Sequence, residues 1–152
     1  MPSILFICTG NICRSPMAEY LLCARLGKSS EWEVSSAGVW AGNGHLASAE
    51  AITVLIEDEG IDMTPHRSRF LTEDMVKNTT LIVCMTPQHR SDILRNFPDA
   101  HDKTFVLTEF GTEKETSGIQ DPIGCSEQVY RKIKEKIDSA LSDLILYMKA
   151  LT

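Results

Sequence analysis

A chain of 152 residues fits one domain and can bury a core without disulfide or metal staples. Its 43% hydrophobic and 24% charged residues exclude a disordered tail, a collagen-like chain and a coiled-coil rod. A net charge of −6 argues against nucleic-acid backbones and anionic membranes as partners.

Ser3–Ile7 is short, apolar and β-prone, which predicts a strand buried on both faces. Ser15 as N-cap and Pro16 at the first position predict a helix that runs through Met17, Ala18, Leu21, Leu22 and Ala24 to Gly27. Trp32–Ser36 reads as a second strand and Gly38–Gly44 as a loop. A helix is expected from Leu46 to Glu59, with Ala51, Ile52, Leu55 and Ile56 on one side and Gly60 just past its end. Leu81–Met85 is the clearest buried strand. Thr86 and Pro87 then open a helix that stops before Pro98. Phe105–Leu107 is the fourth strand expected, and Gly111–Gly124 is polar and turn-rich. Ser126 caps a last helix whose stripe is Val129, Ile133, Ile137, Leu141, Leu144 and Met148. Strands alternating with helices across one domain (1–152) imply an α/β fold, an open parallel sheet with helices on both faces. Ligands of such sheets bind beyond the carboxyl ends of the strands.

Five cysteines, Cys8, Cys13, Cys23, Cys84 and Cys125, make an odd number with no C-x-x-C pair, so a disulfide framework or zinc ribbon is not expected. No signal-peptide pattern opens the chain and no apolar run approaches a spanning helix. The expectation is a soluble, cytoplasmic, reduced protein that acts as a monomer, without metal or cofactor.

The loop after the first strand carries the chemistry: Cys8-Thr9-Gly10-Asn11-Ile12-Cys13-Arg14-Ser15. Amides curled above a helix N-terminus form a nest for an oxyanion. Gly10 permits close approach and unusual dihedrals, and Asn11 tolerates the left-handed region. Arg14 can fork onto two oxygens of a tetrahedral anion. The same surroundings favour thiolate at Cys8, a nucleophile aimed at a bound phosphate, and the Ser15 hydroxyl can serve its sulfur. A bare C-x5-R is weak, since five cysteines give about a one-in-four chance of a hit. The buried strand before it and the Ser-Pro after it make this one specific. Ester cleavage also needs a proton for the leaving oxygen, and Asp121-Pro122, held extended by the proline, supplies a carboxyl.

Cys8 to Glu19 resembles the signature of the low-molecular-weight protein tyrosine phosphatase family. Ser36-Ala37-Gly38, the Leu81–Met85 strand and Asp121-Pro122 fall where that family has counterparts. The resemblance covers nearly the whole chain and is of the bacterial type, close to protein arginine phosphatases. It implies a four-stranded parallel sheet in the order 2-1-3-4 and two-step hydrolysis through a phosphocysteine, without metal. Cys8 attacks while Arg14 and the loop hold the phosphate; Asp121 protonates the leaving group, then activates water. Asn11, Ser36 and His66 are implied as the network that holds the loop, and Cys13 as a redox partner that protects Cys8.

The rim sets the substrate. Aryl-phosphate members of the family carry aromatic residues after Asp-Pro; here Ile123 and Gly124 stand there. Trp40 is expected as one wall or as a half-buried loop anchor. Ile12 suits a phenyl ring, so phosphotyrosine in phosphorylated proteins is the substrate expected, with phosphoarginine the alternative. A thioredoxin-coupled arsenate reductase would need two relay cysteines, which the 86–97 segment lacks. A non-catalytic phosphate-binding module would not need Cys8, Arg14 and Asp121 together. Arg67, Arg69, Lys132, Lys134 and Lys136 read as solvated faces; Cys23 and Cys84 read as core filler.

Overall fold

Strand β1 (Ser3–Cys8) is apolar and buried from Ile4 onward because both its faces are covered. The computed structural model describes residues 1–111 and 117–152, so residues 112–116 of the polar 111–124 segment lie outside the described residues. β1 pairs in parallel with β2 (Glu33–Gly38) on one side and β3 (Leu81–Cys84) on the other, and β4 (Thr104–Val106) lies beyond β3. The order is β2-β1-β3-β4, all parallel, as the resemblance implies.

Ile4, Phe6 and Cys8 face one core, built with α1 (Arg14–Leu26), α2 (Ala49–Glu59) and α5 (Glu127–Ala150). Leu5 and Ile7 face a smaller core with α3 (Glu73–Asn78) and α4 (Pro87–Asn96). The α5 stripe is buried from Ile133 to Met148, with Val129 half-buried. Ser126 Oγ accepts the Val129 N–H at 3.4 Å, as an N-cap should. Gly60 ends α2 in the left-handed region, at φ 68°, where a Cβ would be strained.

Several boundaries differ from the sequence reading. α1 starts at Arg14 with Cys13 as N-cap, so Ser15 lies inside the first turn and is fully buried. Its hydroxyl serves Cys8 rather than a helix end. β2 starts at Glu33 and ends two residues later than expected, because Ala37 and Gly38 keep pairing with Ile7 and Cys8. α2 starts at Ala49, since the Ser48 N–H is held by Ile12 O at 2.8 Å. Ile56 turns outward from α2. β4 is shifted back by one residue, because Leu107 opens a 3-10 turn (Leu107–Glu109). α3 and the 3-10 turn Pro98–Lys103 were not anticipated. Cys84 is core, but Cys23 is exposed on α1, one residue past the apolar stripe. Lys134 is buried against α2 rather than solvated, with Nζ 3.1 Å from Asp58 and 3.0 Å from Glu59. Among the described residues no helix is long and apolar enough to cross a membrane.

Candidate active site

The sheet brings the carboxyl ends of β1 and β2 together, and the Cys8–Arg14 loop closes over them. Val39 N–H donates to Cys8 O at 3.1 Å and Trp40 N–H to Thr9 O at 2.9 Å, which ties the segment after β2 to the loop. Gly38 makes this possible: a Cβ there would collide with Thr9 O, with the Ala41 Cβ at 2.8 Å and the Asn11 N at 3.0 Å.

Cys8 Sγ sits on the floor of a cavity of about 200 Å³ lined by Thr9, Gly10, Ile12, Cys13, Arg14, Asp121 and Ile123. The Asn11 N–H donates to the sulfur at 3.3 Å. Ser15 Oγ lies 2.8 Å from it. Because Ser15 Oγ accepts from Asn11 Nδ2 at 2.8 Å, its own hydrogen is left for the sulfur. Two donors therefore converge on Cys8, which suits its sulfur to act as a leaving group.

Asn11, not Gly10, carries the left-handed backbone of the loop, at φ 57°. Every polar group of its side chain is engaged. Nδ2 also donates to Ser36 Oγ at 2.9 Å, and Oδ1 accepts the Arg69 N–H at 2.9 Å. His66 Nε2 donates to the Asn11 carbonyl at 2.8 Å. So Ser36 and His66 both reach the residue that the resemblance assigns them. Burial lowers the pKa of His66, so the neutral ring that makes this single bond is favoured.

The network extends past what the sequence suggested. Ser36 Oγ donates to Glu19 Oε1 at 2.6 Å, and burial raises the pKa of that carboxyl despite the bond. Arg69 is no solvated charge: its guanidinium donates to Ser36 O at 3.2 and 3.1 Å. Neither residue has a local signal of its own; both depend on which strands lie side by side.

Arg14 is buried at the cavity wall. Nη1 donates to Ile119 O at 2.8 Å and Nη2 to Thr9 Oγ1 at 3.4 Å. Among the described residues its Nε has no hydrogen-bond partner, an orphan donor that an oxyanion in the loop would satisfy. Asp121 stands across the cavity, its Oδ2 3.7 Å from Arg14 Nη2. Asp121 Oδ1 accepts the Ile123 N–H at 3.1 Å, which holds the carboxyl at the rim. Cys13 Sγ is buried beside Tyr130 OH at 3.2 Å and Ser48 Oγ at 3.5 Å, and burial pushes its pKa up.

Ile123 is exposed at the mouth and Ile12 half-buried. Trp40 is neither half-buried nor part of this cavity. It is 82% exposed and lines a separate groove of about 290 Å³ with Phe70, Asp92 and Phe97. The sequence reading also missed His89, which reaches Thr9 Oγ1 from the first turn of α4. A Thr86-x-x-His89 spacing resembling a capping box was the available signal. Among the described residues no group of three or more His, Cys, Asp or Glu side chains is placed to hold a metal ion.

Comparison with known proteins agrees with this geometry. The family model for low molecular weight phosphotyrosine protein phosphatase matches residues 3–152. A protein-arginine-phosphatase of Geobacillus stearothermophilus is 41% identical over 143 residues, 93% of this chain and 92% of that protein. The low molecular weight protein-tyrosine-phosphatase Etp of Escherichia coli (strain K12) is 35% identical over 138 residues, 91% of this chain and 88% of that one. A low molecular weight protein tyrosine phosphatase structure from T. tengcongensis aligns with a TM-score of 0.89 at 37% identity, covering 97% of this chain and 99% of that one. With matching sequence, sheet order and length, this chain belongs to the low molecular weight phosphotyrosine protein phosphatase family and is a cysteine-based phosphomonoesterase.

Proposed function

We propose that the chain hydrolyses phosphotyrosine in proteins through a phosphocysteine on Cys8. The observation that carries this is the floor of the cavity, where a sulfur receives two hydrogen bonds beneath an arginine with an unpartnered Nε. A phosphate seated in the loop places phosphorus above Cys8 Sγ, with its equatorial oxygens on the loop amides and Arg14. Sulfur attacks in line and the P–O bond to the leaving group breaks. Asp121 gives its proton to the departing oxygen. Water then attacks phosphorus, Asp121 takes a proton from it, and the Cys8 thiolate leaves as inorganic phosphate forms.

Ile12 and Ile123 offer aliphatic walls to a ring, and among the described residues lining the cavity Asp121 is the one carboxylate. A phosphorylated guanidinium would have little else to answer its charge. Phosphoarginine is the second reading, favoured by the 41% identical relative that bears that activity in its name. The deciding experiment compares phosphotyrosine and phosphoarginine peptides on wild type and Ile12→Thr. A wild type that prefers phosphoarginine by more than about tenfold overturns the tyrosine assignment.

With p-nitrophenyl phosphate, turnover should survive EDTA, stop with vanadate and vanish in Cys8→Ser. Asp121→Ala should slow esters with poor leaving groups more than activated aryl esters. Unchanged turnover in Cys8→Ser would sink the mechanism.

The reading extends to redox control, compartment and assembly. Peroxide converts the Cys8 thiolate to a sulfenic acid, releasing hydroxide. The Cys13 thiol then displaces water from it to give a Cys8–Cys13 disulfide, which thiols reverse. Cys13→Ala that recovers from peroxide as fully as wild type excludes this. A thiolate nucleophile suits the reducing cytoplasm. The protein acts as a monomer, which light scattering at micromolar concentration would check.

A further inference from the structure

His89 lies in the first turn of α4, only 4% exposed, and the phosphatase chemistry above gives it no task. Its Nδ1 accepts the Thr86 backbone N–H at 3.2 Å. A backbone N–H can only donate, so Nδ1 carries no hydrogen and Nε2 carries it. Nε2 therefore donates to Thr9 Oγ1, 2.9 Å away. The same oxygen accepts from Arg14 Nη2 at 3.4 Å. With both lone pairs of Thr9 Oγ1 taken, its hydroxyl hydrogen is left for the cavity that Thr9 lines.

We propose that His89 is a positioning residue of the phosphate site: its Nε2–H fixes the Thr9 hydroxyl, and through it sets the Nη2 arm of Arg14 and turns the Thr9 hydrogen toward the bound anion. The proposal rests on the phosphatase reading of the Cys8 loop. Removing the Nε2 donor frees Thr9 to rotate and to offer Arg14 no fixed acceptor.

The ring stays neutral, as this geometry needs. Burial and then the Arg14 guanidinium from α1 hold its pKa down to about 4, against the opposing pull of Asp92 on α4 and Asp121 across the cavity. A doubly protonated ring would point a donor at the Thr86 N–H and lose that bond.

Capping and positioning can be separated by substitution. His89→Asn keeps an acceptor near the Nδ1 position but cannot reach Thr9. His89→Gln carries an amide nitrogen near the Nε2 position. Steady-state kinetics on p-nitrophenyl phosphate, vanadate inhibition and thermal melts are measured for both, for Thr9→Val and for Thr9→Val/His89→Asn. The expected result is a melt close to wild type for His89→Asn, with about tenfold lower kcat/KM and a matching loss of vanadate affinity. His89→Gln recovers to within about threefold of wild type, and the double variant is no worse than Thr9→Val alone.

Losses that multiply in the double variant overturn the proposal, as does a His89→Asn protein within twofold of wild type. Thr9→Val leaves the cap untouched, so wild-type kcat/KM in that variant overturns it even if His89→Asn fails to fold. A wild type inert toward p-nitrophenyl phosphate overturns the phosphatase reading and the proposal with it. An active wild type beside an undiminished His89→Asn overturns the proposal alone.

Discussion

At Asn11 five hydrogen bonds offset one unfavourable backbone angle. Left-handed backbone costs a non-glycine residue on the order of 1 kcal/mol, and each bond returns a similar amount. Asn11→Ala removes the three side-chain bonds and leaves Ser15, Ser36 and the Arg69 N–H short of a partner. We expect it to lose about 2–4 kcal/mol of stability in urea unfolding and at least about tenfold in kcat. The sequence showed Asn11 as a residue that tolerates this backbone, and showed Cys8, Arg14 and Asp121 by motif. It did not show what Glu19, Arg69 or His89 do at the site, because their contacts there reach at least 17 residues along the chain.

His89 also makes stability depend on pH. Its pKa is about 4 in the folded protein against 6.5 when unfolded. Between those values the unfolded chain holds a proton that the native ring does not, so stability falls as pH drops from about 6.5 to about 4. The shift corresponds to roughly 3 kcal/mol at most. Buried His66 has a lowered pKa and adds in the same direction; Glu19, raised by burial, opposes it by favouring the folded state at acid pH. Urea unfolding at pH 7 and pH 5 should show a drop for wild type that His89→Gln reduces.

Among the elements, α5 was the most legible. Its stripe from Val129 to Met148 repeats every three or four residues, and Ser126 marks its start. α3 was missed because six residues with one buried side chain carry no period. α1 was placed but its start was misread, since Ser15-Pro16 looks like a cap and first turn whether or not the loop has already begun to coil. The join of α2 to α5 was invisible. Asp58 and Glu59 sit at the C-terminal end of α2, against its dipole, and Lys134 and Arg131 of α5 meet them there. Lys134 and Arg131 lower the pKa of Asp58, and Arg25 of α1, then Lys134, lower that of Glu59. Lys134 is 7% exposed, so its loss strands the partners beside a buried stem. Lys134→Ala should lower Tm by roughly 3–6 °C in a calorimetric scan, and less at high salt.

For the whole molecule, alternation of strands and helices indicated a parallel sheet covered on both sides, and both cores are present. Strand order is a different matter. β1 pairs with β2 and β3 alike, and apolar runs such as Leu81–Cys84 would satisfy more than one arrangement. The order found, β2-β1-β3-β4, sets the ends of β1 and β2 side by side beneath the loop. Since the anion site exists only when that order is built, oxyanions should stabilise the fold by mass action. Phosphate at about one hundred times its Kd should add ~2.7 kcal/mol, a Tm rise of roughly 5–10 °C. Cys8→Ser should keep a rise with phosphate but lose most of that with vanadate. No shift with either ion in the wild type would mean that the loop does not bind oxyanions.

What the sequence alone determined is local: one α/β domain, the Cys8–Arg14 loop between a buried strand and a helix, Asp121 at a proline-held rim, and the amphipathic stripe of α5. Each needs only neighbours within a few residues, and propensity and periodicity act at that range. Tertiary structure decided the rest. It turned Ser15 from a cap into a donor to Cys8, buried Lys134, exposed Cys23, moved Trp40 out of the cavity, and joined His89 to Thr9 across 80 residues. These outcomes depend on which distant surfaces meet, and burial and hydrogen-bond geometry are set only when they do.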